Sequence, residues 1–201
     1  SPPHVLGLEQ KSPMTSLLRR LNRLRSLPVI LDYNDPRIAA TVHAKTLCYN
    51  YTDEELFPIQ GIQTVLDFGG GAGHAYNRAF ITKQTLRWDI VETPAMVSYC
   101  SARSITSRLR WFTDIHSARD WLGPIDLIYS DGAIQYTNEP VRTLLRLTSL
   151  GARGLYWNRT FLSHAGPEPQ RSYLSDHGPG APQGPEAIVR VVRRPIRRSM
   201  F

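Results

Sequence analysis

The stretch "TVLDFGGGAGHAYN", residues 64–77, constrains this chain more than any other. Four glycines fall within five positions, Gly69 to Gly73, directly after a short apolar run that begins at Val65. Glycine reaches positive φ at no steric cost and has no side chain to hold a neighbour away. Such a cluster after a strand therefore marks a turn where backbone N–H groups approach a ligand, and a helix starting beyond it adds the positive end of its dipole.

The rest of the chain supplies a setting for that turn. From residue 63 onward, the runs "QTVLDF", "LRWDIVE", "RLRWFTDI", "IDLIYS" and "ARGLYWN" are apolar nearly throughout and are separated by helix-like segments. Continuous apolar runs suit strands covered on both faces, and the spacing leaves room for crossover helices, so the pattern predicts a parallel α/β sheet. In such sheets ligands bind beyond the carboxyl ends of the strands, where the glycine turn falls.

Upstream, "DPRIAATVHAKTLCYN" has a proline near its start and helical apolar spacing, and "TDEELF" offers Thr52 as an N-cap. Residues 1–60 are expected to form a helical cap or extension, and 61–165 the ligand-binding core. Residues 166–201 are expected to be a Pro/Gly-rich loop and a basic C-terminal segment; "HAGPEPQRSYLSDHGPGAPQGP" reads as an irregular linker throughout.

With 201 residues, 41% of them hydrophobic, the chain can bury one sizeable core. Its net charge of +7 is not spread evenly: residues 11–25 carry +5 and 186–201 carry +4, while 26–185 sum to −1. A central part without basic excess argues against a specific nucleic-acid surface. The helix over "KSPMTSLLRRLNRLRSL" is expected to pack its leucines on the domain and solvate its arginines, with weak peripheral membrane contact the rival reading. No apolar run approaches the roughly 20 residues that span a bilayer, no signal-peptide pattern opens the chain, and a cytoplasmic location is expected. Cys48 and Cys100 lack metal-ligand spacing and read as inert, buried or half-buried thiols. Trp88, Trp111, Trp121 and Trp157 read as packing residues. No metal is expected, and oligomeric state stays open.

Spacing separates two ligand classes. A dinucleotide fingerprint, Gly-x-Gly-x-x-Gly, would need glycine at position 74, where His74 stands. No Gly-Lys-Ser/Thr follows, which excludes a phosphate-binding P-loop. What remains is Asp67-x-Gly69-x-Gly71-x-Gly73, with a carboxylate at the strand end, and Glu92 ends the second run where nucleotide-binding folds place an acid for ribose hydroxyls.

This pattern resembles the first motif of class I S-adenosylmethionine-dependent methyltransferases. "VLDFGGGAG", "WDIVETPAMV", "DLIYSDGAIQYTNEP" and "YWNRT" are similar in particular to a group of bacterial methyltransferases whose genes often accompany surface-polysaccharide synthesis. Two positions depart from that group: Ser130-Asp131 stands where Ser-Ser is usual, and Asn158-Arg159-Thr160 where Asp-Arg-Thr is usual. The resemblance implies a Rossmann-like, mostly parallel sheet that ends in an antiparallel pair; only "EAIVRVVRRPI" offers such a strand here, so a short or incomplete C-terminal part is expected. The resemblance also implies S-adenosyl-L-methionine as cofactor, held by Asp67, Gly69, Gly70, Gly71, Gly73 and Glu92, by Asp114 and Ile115 at the adenine, and by Ser130. The expected acceptor is a small molecule or sugar hydroxyl, with Asp131, His74 and Tyr136 the candidates for assisting its deprotonation. An inactive cofactor-binding relative, an RNA methyltransferase and an NAD-dependent oxidoreductase are the alternatives.

Overall fold

A computed structural model describes residues 32–51, 60–163, 171–175, 189–193 and 196–197. The helix expected over residues 11–25 and the Thr52 cap lie outside the described residues.

Each of the five apolar runs forms a strand: β1 (Thr64–Phe68), β2 (Arg87–Val91), β3 (Leu109–Phe112), β4 (Leu127–Asp131) and β5 (Gly154–Asn158). They join in the order β3-β2-β1-β4-β5, and every pairing is parallel. Helices carry the crossovers: α2 (His74–Thr82) after β1, α3 (Pro94–Ser101) after β2, α4 (Ile115–Leu122) after β3 and α5 (Pro140–Thr148) after β4. A further helix, α1 (Pro36–Leu47), precedes the sheet, capped by the Asp35 carboxylate on the Arg37 N–H, with Pro36 in its first turn. The order reverses between β1 and β4, which makes their carboxyl ends the topological switch point of a Rossmann-like sheet.

Both faces of the sheet are covered, as the unbroken apolar runs require. One face carries Val65, Trp88, Ile90, Leu109, Trp111, Leu127 and Tyr129 against the buried residues of α2 and α3. The other carries Leu66, Val91 and Ile128 against Ala118 and Leu122 of α4 and Leu144 and Leu147 of α5. An aromatic row runs across the first face: Tyr76 meets Trp88, Trp88 meets Tyr129, and Tyr129 stacks on Tyr156 at 5.5 Å with the rings 9° from parallel. Such pairs add about 0.5–1.5 kcal/mol each beyond the area they bury.

The C-terminal expectation needs correction. Strand β7 (Arg171–Ser175) lies inside the stretch read as irregular linker and pairs antiparallel with β8 (Val189–Arg193). Pro/Gly richness obscured it because its five residues, "RSYLS", alternate too briefly to stand out from their surroundings. The pair forms a sheet of its own rather than extending the five strands. Two short strands, β6 (Leu162–Ser163) and β9 (Ile196–Arg197), pair in parallel, and Ile196 is fully buried in the second core cluster. Ile196 thus closes a core face, and none of the described C-terminal strands joins the main sheet.

Two assignments of single side chains also change. Cys100 is buried but Cys48 is exposed. Trp121 is 56% exposed and lies under the Arg110 guanidinium, 4.4 Å from ring to charge, so it is a surface stacking residue rather than core.

Trp88 is fully buried, and its Nε1–H donates to Asp67 Oδ2 at 3.0 Å. Replacing it by phenylalanine keeps an aromatic in the row but leaves that carboxyl oxygen unmet, a loss of about 1–3 kcal/mol. Urea unfolding of Trp88→Phe checks this; an unchanged midpoint and slope would show that the indole N–H holds nothing.

Candidate functional site

The glycine turn sits at the switch point and is shaped by what lies beneath it. Asp67, the fourth residue of β1, is fully buried. A Cβ added to Gly70 would fall onto the Asp67 carboxyl oxygens, and one added to Gly69, whose φ is +75°, would strike the Cβ of Ala133. Alanine at either position must displace backbone or a buried carboxyl, so these two glycines are fixed by close approach within the protein itself.

Side chains from neighbouring strands hold the turn in place. The Gly69 N–H donates to the Val91 carbonyl at 2.9 Å, which ties the turn to β2. Trp111 Nε1–H donates to the Gly71 carbonyl at 2.8 Å from the β3 side. Glu92, just past β2, accepts the Gly71 N–H on Oε1 at 3.1 Å and the Thr93 N–H on Oε2 at 2.8 Å. The expected cofactor acid is therefore half-buried beside the loop, with one bond already made to it. Gly73 at φ +88° then opens α2, whose N-terminus has no side-chain cap.

Helix α1 roofs this end of the sheet. Tyr33, Ile38 and Val42 cluster with Tyr136, and Val42 lies over Gly71. The segment before α1 is pinned to α3: the Thr93 hydroxyl donates to the Tyr33 carbonyl and Asn34 Oδ1 accepts the Ala95 N–H, both at 3.0 Å. His74, the first residue of α2, packs edge-on to Tyr49 at 4.5 Å and tilted against Tyr51 at 5.3 Å. Sequence reasoning missed both tyrosines, since nothing in "LCYNYT" ties them to a turn 25 residues later.

On the far side of the switch point, Asp131 ends β4. Both its oxygens are taken by Arg159: Nε donates to Oδ1 at 2.6 Å and Nη2 to Oδ2 at 3.0 Å. This two-pronged geometry is the strong form of a carboxylate–guanidinium contact. Arg159 has φ +48°, the one positive φ outside glycine among the described residues. Gln135 spans the gap below, its Nε2–H₂ donating to the carbonyls of Gly132 (2.9 Å) and Arg159 (3.2 Å). Neither Arg159 nor Gln135 was singled out as a site residue, although the β4–β5 register sets Asp131 beside Asn158 and so makes Arg159 its neighbour.

The remaining expected residues fall as follows. Ser130 is fully buried and its hydroxyl donates to the Phe68 carbonyl at 2.9 Å, locking β4 to the end of β1. Asp114 is exposed and caps α4 through the Ser117 N–H at 2.8 Å, which holds its carboxyl below its ordinary value. Ile115 is half-buried against the second core cluster. Among the described residues no group of histidine, cysteine and acid side chains could hold a metal ion, and no helix is long and apolar enough to cross a membrane.

Electrostatics at the turn are set by burial. Burial pushes Asp67 up to about 8, against the Trp88 hydrogen bond and with the charges of Glu92 and Asp131 adding to the rise. Glu92 is also raised by burial, opposed by its two backbone bonds. His74 is lowered, first by burial and then by Arg78, with Asp131 pulling the other way; it is held neutral at pH 7. Elsewhere, burial lifts Asp89 on β2 to about 6 against Arg110 and Arg87.

No family model and no curated protein sequence matches the chain. Solved structures do. The N-terminal domain of EvdMO1 with SAH bound is 14% identical, covering 91% of this chain and 83% of that one, with a TM-score of 0.43. The mitomycin 7-O-methyltransferase MmcR is 16% identical over 92% of this chain and 58% of its own, at 0.41. The sugar N-methyltransferase KedS8 from a Streptoalloteichus species is 15% identical over 87% and 64%, at 0.37. The chain thus spans less than two thirds of the latter two. These likenesses are distant, and the fold stated above rests on the strand order of this chain.

Asp67 gives a test of the electrostatics. The native state keeps a proton on it that the unfolded chain releases near pH 4, so its contribution to stability is full below about 4 and lost as pH rises through about 8. Stability should then fall by about 1 kcal/mol from pH 7 to 8.5 and stay level in Asp67→Asn. Denaturant unfolding at the two pH values measures this; identical slopes in both proteins would contradict it.

Proposed function

We propose that this chain is an S-adenosylmethionine-dependent methyltransferase acting on a hydroxyl of a small molecule or sugar. The observation that carries the proposal is the turn at the switch point. Its glycines are excluded from bearing side chains by Asp67 and Ala133, and Glu92 flanks it with a half-buried carboxylate. Dinucleotide binding is disfavoured by His74 in place of the third fingerprint glycine. The acceptor atom is left to experiment.

The residues fit that cofactor. Gly69, Gly70 and Gly71 offer a turn without side chains for its amino-acid and ribose portions, and Glu92 has lone pairs left for ribose hydroxyls after its two backbone bonds. Asp114 and Ile115 would border the adenine. Ser130 would act at one remove, by fixing β4 against β1. When bound, the cofactor supplies a methyl group already activated on a sulfonium, so the protein's work is to orient the acceptor and exclude water.

Asp131, His74 and Tyr136 share the mouth of the site, and their roles divide by geometry. Accepting a proton at Asp131 breaks a bond to Arg159, so the pair is suited to orienting an acceptor's hydroxyls. His74, neutral and packed on Tyr49 and Tyr51, is free to take the proton. Tyr136, under α1, forms a wall.

Calorimetric titration tests the class. S-adenosylmethionine and S-adenosylhomocysteine should both give binding heat and NAD none; heat from NAD alone would overturn the reading. Glu92→Ala should weaken either adenosyl ligand by about 1.5–3 kcal/mol, the worth of hydrogen bonds to a charged group. Once an acceptor is found by screening hydroxylated metabolites, His74→Ala should lower kcat by roughly 100-fold or more, while Asp131→Asn should chiefly raise KM. A kcat loss confined to Asp131→Asn would reverse the two roles.

A further inference from the structure

Three carboxylates meet at the glycine turn, from the ends of three adjacent strands, and they are not equivalent. Asp131 is matched by Arg159. Glu92 is half-buried and takes two backbone N–H groups. Asp67 alone is fully buried, directly under Gly70, and its Oδ1 has no hydrogen-bond partner among the described residues. A buried polar atom left unmet is costly, and its retention directly beneath a ligand-binding turn points to a task performed when the ligand is present.

Resting on the functional reading above, we propose that Asp67 lets this site tell the sulfonium cofactor from its neutral thioether product, by releasing its proton when the cation binds and regaining it once the charge is gone. The two ligands differ by one methyl group and one positive charge. Methyl transfer breaks the carbon–sulfur bond, leaves its electron pair on sulfur, forms a carbon–oxygen bond and frees the acceptor's proton. The positive charge at the site vanishes in that step, so a carboxyl whose ionisation depends on a nearby cation reports which ligand is bound.

The surroundings of Asp67 make such a response strong. The groups facing it are Trp88 from β2, Glu92 just past that strand, and Tyr129 and Asp131 from β4, with the uncharged turn above. Of these only the Trp88 N–H favours the ionised carboxylate; the two other acids oppose it. Arg159 is already bound to Asp131, and His74 is held below its ordinary value by burial. No cation on the described residues bonds Asp67; of the positive charges a ligand brings to the turn, the α-ammonium is common to both adenosyl ligands, and the sulfonium is the one that distinguishes them. With Asp67 raised to about 8, it is largely protonated at pH 7 before binding. Cation binding then draws on the ionised form, so affinity rises with pH up to about 8, whereas a neutral thioether adds no such dependence.

Titration calorimetry of the wild-type protein at pH 7 in phosphate and in Tris, whose ionisation heats differ, counts the protons exchanged. S-adenosylmethionine should release more protons than S-adenosylhomocysteine, by up to about one. The ratio of their affinities, in which groups common to both ligands cancel, should rise roughly tenfold or more from pH 6 to pH 8. In Asp67→Asn, whose amide oxygen can still accept from Trp88, the ratio should be flat and the difference in release lost. If both ligands bind and the wild-type protein releases no more protons to one than to the other, the inference fails while the functional reading stands; that result needs no variant to fold. A difference in release that persists in Asp67→Asn also overturns it, naming Glu92 as the source. Binding of neither ligand removes the functional reading and the inference together.

Discussion

The contact between the Gly70 backbone and the buried Asp67 carboxyl governs the ligand end of this sheet. A carboxyl at that depth leaves no room for a Cβ above it, which fixes glycine in the turn. It also needs a donor from below, which fixes Trp88 on β2. Trp88 in turn anchors the aromatic row that crosses to Tyr129 and Tyr156. One polar group thus links the shape of the turn, the packing of a sheet face and the charge balance of the site.

That linkage carries a cost that a purely structural sheet would avoid. Among the described residues, Asp67 has one oxygen unmet, Asp89 its Oδ2 and Gln135 its Oε1, which concentrates unfavourable polar burial in a small core. Two of the three lie at the switch point. Arg159, with its positive φ, lies there as well. Strain and unmet polarity gathered at the same end of a parallel sheet are the marks of a site rather than of a scaffold. Among the described residues, surface hollows lie elsewhere, one lined by Arg119, Asp126 and Arg153 at the amino ends of the strands, another by Leu109 and Trp121 at the outer edge. Neither gathers such groups.

Much of this was legible in the sequence because the signals were local. Five apolar runs became five strands, since a strand buried on both faces must be apolar along its length. The turn was legible because several glycines in one short stretch have few other uses. What escaped had no local signature. Arg159 reaches Asp131 from 28 residues away. Tyr49 and Tyr51 reach His74 from the far side of β1 in the sequence, and Ile196 fills a core face from β9. In each case the partner is chosen by sheet register or tertiary packing, which a single sequence does not display. The "RSYLS" strand was hidden for a related reason: antiparallel pairing with β8 makes it a strand, not its own composition.

The central claim, that an adenosyl ligand sits on the Asp67–Gly73 turn at the β1–β4 switch point, is tested most directly by a crystal structure of the chain with S-adenosylhomocysteine. The account predicts ribose hydroxyls on the Glu92 carboxylate and the thioether sulfur over the glycine turn, on the side facing Asp131. Ligand density at either surface hollow, with the turn empty, would contradict it.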